Sequence, residues 1–357
     1  MHDRQSDGGR SSLAKLKIGV VGGGGIAQAA HINNYKKHAD RVELVAIADV
    51  NEATVRRNIE EHGFAYGFAD FNEMFENAEL DAVSVCTPNK FHAPATLAAL
   101  KAGCHVLCEK PPAMTSAEAM EMEAAAAASG TILAYGFCNR YRARAQYLKR
   151  AIEAGELGHI YAGRIAAMRR NGIPGGVFVN KELQGGGPLI DIGVHMLDLA
   201  LWFMDFPKPV QVMGAAYREL GTKPYDSVPT PWDYANYTVE DLAMGMIRFE
   251  NGATLLLETS FIVHAPEGNN NTVRLHGTKG GLDYKTAGIH QLRQGIPVDI
   301  VAPKIPDPDM HQVQLEAFID ALEGKGRMLS TPGQGVVVQQ IIEALYRSAE
   351  TGEAVVP

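Results

Sequence analysis

Lys17-Ile18-Gly19-Val20-Val21-Gly22-Gly23-Gly24-Gly25-Ile26-Ala27 is an apolar run that empties into four glycines and then a helical pattern. It reads as a strand, a G-x-G-x-x-A turn and the opening of a helix. Gly22 permits the tight turn. Gly24, with Gly25 and Ile26 beside it, lets backbone approach a pyrophosphate, and Ala27 lets the helix pack closely on the strand. The pyrophosphate would sit on the positive end of that helix. Asp49 follows at the end of the second predicted strand, where a carboxylate can accept both hydroxyls of a ribose. It can also be read as a cap for the helix that begins near Glu52. Val50 and Asn51 offer no arginine for a 2′-phosphate, and Arg56 and Arg57 lie a turn or two into the helix, so the motif favours NAD over NADP.

Outward from this turn the chain alternates short apolar runs with helical segments. Strands are predicted at Lys17–Val21, Glu43–Ala48, Ala82–Cys86, His105–Cys108 and Thr131–Tyr135. Helices are predicted at Ile26–Lys37, Glu52–His62, Ala93–Ala102 and Ser116–Ala128. Runs without polar alternation fit strands buried on both faces of a parallel sheet, and the alternation implies a doubly wound α/β fold. After about Gly136 the rhythm changes. A helix at Arg142–Ala154 leads to a strand at Ile160–Arg169, a glycine-rich loop and a helix from Pro188 to Phe203. Mostly antiparallel strands follow from Val210 to Ile300, with a turn at Glu250-Asn251-Gly252, and helices near Gln312–Glu323 and Gly335–Ala349 close the chain. This divides the protein into a lead-in over 1–14, a Rossmann domain over 15–136 and a C-terminal α/β domain over 137–357, whose last helix can pack back on the first.

Composition narrows the function. The chain has 357 residues, 46% hydrophobic and 21% charged, with 37 glycines and a net charge of −8. That excludes a disordered chain and shows no basic patch for nucleic acid. No apolar stretch reaches the ~18–20 residues of a membrane span. The lead-in is polar and lacks the apolar segment of a signal peptide, so it reads as disordered. Cys86, Cys104, Cys108 and Cys138 form no Cys-x-x-Cys pair and read as buried thiols of a cytoplasmic protein.

Two later stretches carry candidate chemistry. Cys108-Glu109-Lys110-Pro111-Pro112 ends a parallel strand, on the side of the sheet where ligands bind. Lys110 there points at the nicotinamide end of a cofactor cleft, unless it is an ordinary surface lysine before a proline turn. In Gly185-Gly186-Gly187-Pro188-Leu189-Ile190-Asp191-Ile192-Gly193-Val194-His195-Met196-Leu197-Asp198, Asp191 and His195 share one helix face at i and i+4, and Asp198 can join them. The helix start disfavours a charged imidazole, and a neutral histidine is what a general base needs. A buried histidine capped by Asp191 is the plainer alternative. No third ligand at metal spacing appears, so no metal is expected.

Together, the Gly22–Ala27 turn, Asp49, Thr87-Pro88-Asn89 with His92, Glu109-Lys110-Pro111, Asn139-Arg140, the Gly155–Gly158 turn and Asp191-Ile192-Gly193-Val194-His195 resemble the Gfo/Idh/MocA family of nicotinamide-dependent sugar and cyclitol oxidoreductases. The resemblance runs from about Lys15 to about Ala349. It implies a Rossmann domain followed by a domain with a large, open, mostly antiparallel sheet, which forms homodimers or homotetramers. It places Thr87, Asn89 and His92 along NAD, and Glu109 and Lys110 near the nicotinamide ribose. It also implies a cis Lys110–Pro111 peptide. Ala143 stands near where many members carry proline.

The activity implied is hydride transfer between NAD and a secondary hydroxyl of a sugar, cyclitol or sugar derivative. His195 takes the proton, Lys110 stabilises the alkoxide, and Asp191 orients substrate or imidazole. Asn171 resembles a position that contacts substrate hydroxyls. Arg169 or Arg170 can meet an anionic group, and Tyr141, Trp232, Tyr234, Tyr237 and His264 can line a sugar-sized pocket. Asp241 reads as structural. Two alternatives keep the cofactor: redox-neutral, NAD-assisted glycoside cleavage, and a non-catalytic sugar sensor.

Overall fold

The computed structural model describes residues 14–226, 228–266, 268–302 and 304–357. Of the lead-in expected over 1–14, only Ala14 falls within them. The first domain is a six-stranded parallel sheet of β1 (Leu16–Val21), β2 (Val42–Ala48), β3 (Tyr66–Phe68), β4 (Ala82–Val85), β5 (His105–Cys108) and β6 (Leu133–Tyr135). Their order is β3-β2-β1-β4-β5-β6. The inner strands are Val, Ile and Ala runs buried on both faces, as the unalternating pattern implied. The chain direction across the sheet reverses between β1 and β4, and their carboxyl ends leave the crevice where ligands bind in such sheets.

The crossovers are α1 over 27–36, α2 (Glu52–His62), α3 (Phe71–Asn77), α4 (His92–Lys101) and α5 (Ser116–Ser129). β3 and α3 were not anticipated from the sequence. The first part of α1, Ala27–Ile32, is wound as a π-helix, with an α-helical end at Asn33–Lys36.

The second domain opens with α6 (Ala143–Glu153) and β7 (Ile160–Met168), then a short α7 (Lys181–Gln184) and α8 over 189–203. Next come β8 (Pro209–Tyr217), β9 (Leu242–Phe249), β10 (Thr254–Ser260), β11 (Asn270–Gly277), β12 (Gly280–Asp283), β13 (Gly288–Arg293) and β14 (Ile296–Val301). These strands form one sheet with β7, in the order β14-β13-β12-β11-β7-β10-β9-β8. Only β10 and β7 run parallel. Along β9 the buried Ala243, Ile247 and Phe249 alternate with the exposed Met244, Met246 and Arg248, the signature of a sheet covered on one side. The other face carries Met213, Met244, Met246 and Leu256 exposed.

α9 (Met310–Leu322) and α10 (Pro332–Thr351) return to the first domain. Gln314 donates to the Tyr135 carbonyl, Gln339 donates to the Met114 carbonyl, and Arg41 pairs with Asp320 and Glu323. The Lys110–Pro111 peptide is cis, as the resemblance implied. No helix among the described residues is long and apolar enough to cross a membrane. The four cysteines are buried and free.

Candidate active site

The glycines of the β1–α1 turn answer to different demands. Gly22 has φ of 89°, and a Cβ there would lie 2.7 Å from the Cys86 carbonyl oxygen, so the fold itself requires glycine. A Cβ on Gly24 or Gly25 would meet no atom of the described residues within 4 Å. What a side chain there would fill is the space in front of the helix end, where a pyrophosphate would lie. Asp49 accepts from the Gly23 N–H at 2.8 Å and from the Asn51 N–H at 2.8 Å. The cap of α2 is Asn51, whose side chain accepts from Ala53 and Thr54, so Asp49 is not the cap but a brace for the turn.

A crevice of about 320 Å³ follows, lined by Gly24, Gly25, Ile26, Thr87, Asn89 and His92 among others. Thr87 Oγ1 is buried with no hydrogen-bond partner among the described residues. An open glycine cradle, an orphaned hydroxyl and a carboxylate after β2 form a donor and acceptor set that fits NAD. Asn89 and His92 also brace the walls. Asn89 donates to the Gln184 carbonyl across the domains at 2.8 Å. The His92 ring nitrogens lie 2.7 Å from the Pro111 carbonyl and 2.9 Å from the Thr87 carbonyl, and burial pushes its pKa down.

A second cleft, of about 580 Å³, adjoins the first and shares Ile26, Glu109, Lys110 and Phe178 with it. Lys110, at the end of β5, donates through Nζ to the Asp191 carboxylate and to its carbonyl, each at 2.8 Å. Asp191 lies in the π-wound start of α8, Leu189–Gly193, and His195 lies one turn on. Both line the cleft. Thus the lysine from one domain and the histidine from the other converge. Burial alone would raise the Asp191 carboxyl. The Lys110 ammonium outweighs it, with Arg169 and His195 adding, and holds it below the usual range. Burial first, and the Lys110 charge second, push His195 down to about 3, so its ring is neutral. Its Nδ1 is buried without a partner among the described residues.

The other sequence-predicted residues divide between this cleft and the rest of the fold. Arg169 lines the cleft, whereas Asn171 pairs with Ile262 in a short antiparallel bridge and is not among the lining residues. Asp198 is taken by Arg140, with contacts of 2.5 and 3.0 Å, and does not join His195. Trp232 stacks on Tyr225 and donates to the Gly221 carbonyl, and Tyr237 donates to the Glu240 carbonyl. These rings pack the C-terminal loops. Asp241 accepts from the Leu220 and Gly221 N–H groups and is structural. The cleft takes its aromatic surface from Phe178 and Tyr284 and further charge from Arg142 and Arg144, and it is also lined by His311, whose pKa burial pushes down. Spacing carried no signal for these, because they arrive from four separate places in the chain, Arg142 and Arg144 together from the start of α6. No cluster of three or more metal-ligating side chains occurs among the described residues.

Residues 16–137 match the oxidoreductase family with the NAD-binding Rossmann fold, and residues 145–283 match the GFO/IDH/MocA C-terminal domain. D-glucoside 3-dehydrogenase of Escherichia coli strain K12 is 42% identical, over 95% of this chain and 97% of that one. 1,5-Anhydro-D-fructose reductase of Ensifer adhaerens is 28% identical, over 94% and 97%. Among solved structures, levoglucosan dehydrogenase in complex with NADH superposes with a TM-score of 0.80 at 23% identity, over 96% of this chain and 99% of that one, which is a likeness of fold.

Proposed function

The chain belongs to the GFO/IDH/MocA oxidoreductase family, and from that premise we propose that it oxidises a secondary ring hydroxyl of a glucoside-type sugar with NAD and reduces the ketone with NADH. The observation that carries this reading is the meeting of Lys110, Asp191 and His195 in one cleft beside the nucleotide crevice. The name of the 42% identical relative directs the choice of the 3-hydroxyl.

NAD supplies the hydride acceptor at its nicotinamide ring. Two of the three Lys110 ammonium hydrogens are held by Asp191, and the third is free to meet the substrate oxygen. The ammonium stabilises negative charge as it develops on that oxygen in a largely desolvated site. The neutral His195 imidazole accepts the hydroxyl proton. Asp191 keeps Lys110 aimed, and Phe178, Ile192 and Met196 line the cleft with apolar surface that limits water. A homodimer or homotetramer through the exposed sheet face, and a cytoplasmic location, belong to the same reading. The apolar Met213, Met244, Met246 and Leu256 on that face support the first.

The test is a panel of methyl glucosides, inositols and sugar acids with NAD or NADP, followed by nicotinamide absorbance and NMR of the ketone formed. Oxidation of a glucoside at C3 with NAD is expected. Lys110→Met is expected to lower kcat by about 10²–10³. Cofactor binding without reduction by any panel member sinks the reading. So does turnover within about tenfold of wild type in both Lys110→Met and His195→Ala.

A further inference from the structure

We propose that His31 is a positioning residue for this reaction: through Glu109 it fixes the backbone of Lys110, and from its place on α1 it ties that lysine to the helix that holds the cofactor. The proposal rests on the role given to Lys110 above.

Four buried side chains form one hydrogen-bonded file. Tyr35 Oη lies 2.9 Å from Ser84 Oγ, which lies 2.9 Å from His31 Nδ1. His31 Nε2 lies 2.8 Å from Glu109 Oε1, and Glu109 Oε2 accepts from the Lys110 backbone N–H at 3.2 Å. The resemblance placed Glu109 at the nicotinamide ribose, yet here both its oxygens are engaged by protein. Gly136 leaves the space for this, because a Cβ there would lie 2.8 Å from Glu109 Oε2.

Counting hydrogens fixes the direction of the file. Burial is the largest influence and would raise the Glu109 carboxyl, but His31, with Lys110 and His311 adding, outweighs it and holds the group at about 2. It is therefore a carboxylate and only accepts. His31 then donates from Nε2, its bare Nδ1 accepts from the Ser84 hydroxyl, and Ser84 accepts from the Tyr35 hydroxyl. Every hydrogen has an acceptor. The sheet interior thus sets the imidazole tautomer, and the tautomer gives Glu109 its donor. His31 lies within the π-wound part of α1, Ala27–Ile32, and π segments often recur at functional sites. The same helix presents Gly24 and Gly25 to the cofactor at its other end.

The experiment measures kcat, KM, NADH affinity and melting temperature for wild type, Lys110→Met, His31→Leu, His31→Gln and Ser84→Ala. Glutamine offers an N–H toward Glu109 and a carbonyl toward Ser84. His31→Leu is expected to lower kcat at least about tenfold with KM and NADH Kd within about threefold, and His31→Gln to recover most of the loss. Ser84→Ala leaves the imidazole in place and removes its donor, together with the acceptor of the Tyr35 hydroxyl, so it decides the matter if His31→Leu does not fold. It is expected to lose about threefold or more in kcat with an unaltered NADH Kd. Wild-type kcat in His31→Leu, or in Ser84→Ala where it must stand in, overturns the proposal. A kcat loss matched by an equal loss of NADH affinity and not recovered in His31→Gln also overturns it, since it marks a distorted helix. Wild-type turnover in Lys110→Met overturns both readings. Failure of this proposal alone is told apart by an inactive Lys110→Met beside an active His31→Leu.

Discussion

Gly22 and Gly24 stand two residues apart in one turn, and substitution separates what each is for. Gly22→Ala forces a side chain into positive φ and against the Cys86 carbonyl, so it is expected to cost about 1–3 kcal/mol of stability. The Cβ of Gly24→Val meets no atom of the described residues within 4 Å. The variant is expected to fold with an unchanged Tm and to weaken NADH binding by about tenfold or more. Titration calorimetry beside thermal melts reads both. His195 makes a different prediction. Its folded pKa lies at about 3 against an ordinary 6.5. A neutral buried histidine stabilises the fold fully above the ordinary value, and that contribution is lost as pH falls through the folded one. Wild-type stability is therefore expected to decline between pH 6.5 and 3. His195→Gln, which cannot titrate, is expected to show a shallower decline in urea midpoints over the same window. The Asp191 and His195 pair was legible at this scale, because i and i+4 on a helix start survive as neighbours. The fate of Asp198 was not legible, since its partner, Arg140, lies far away in sequence.

At the scale of elements, the strands of the first sheet could be read because burial on both faces demands apolar runs. β3 could not. It is three residues long, Tyr66-Gly67-Phe68, with an exposed first residue and a glycine at its centre, and so carries neither alternation nor a β-branched run. Gly67 is there because α2 lies over it. A Cβ would come within 2.4 Å of Val55 and 2.6 Å of Ile59. Gly67→Val is expected to overpack this seam and cost about 1–3 kcal/mol, read by chemical denaturation. π winding at the starts of α1 and α8 was also hidden, because the apolar pattern of a π turn differs little from that of an α turn over five or six residues. Yet those two segments carry His31 and Asp191.

Across the whole molecule, Arg140 is the residue on which separate parts depend. It is fully buried between the rings of Phe137 and Phe206. It pairs with Asp198 on α8 and donates to the Leu329 carbonyl and to Gln334 on α10. Arg140→Met leaves Asp198 buried and uncompensated, and is expected to cost about 3–5 kcal/mol. Adding Asp198→Leu is expected to return part of that loss, a non-additivity that a double-mutant cycle measures. Closure of the C-terminal helices onto the first domain could be read only as an option from the sequence, since polar pairs such as Arg41 with Asp320 leave no periodic trace.

The contact between Lys110 and Asp191 bridges the two domains. A hinge that swung the halves apart would break the arrangement proposed to perform the chemistry, so reactants are expected to enter through a standing doorway. Rapid-mixing traces of NADH association are accordingly expected to be single-phase, with a rate that climbs in proportion to ligand and reaches no plateau.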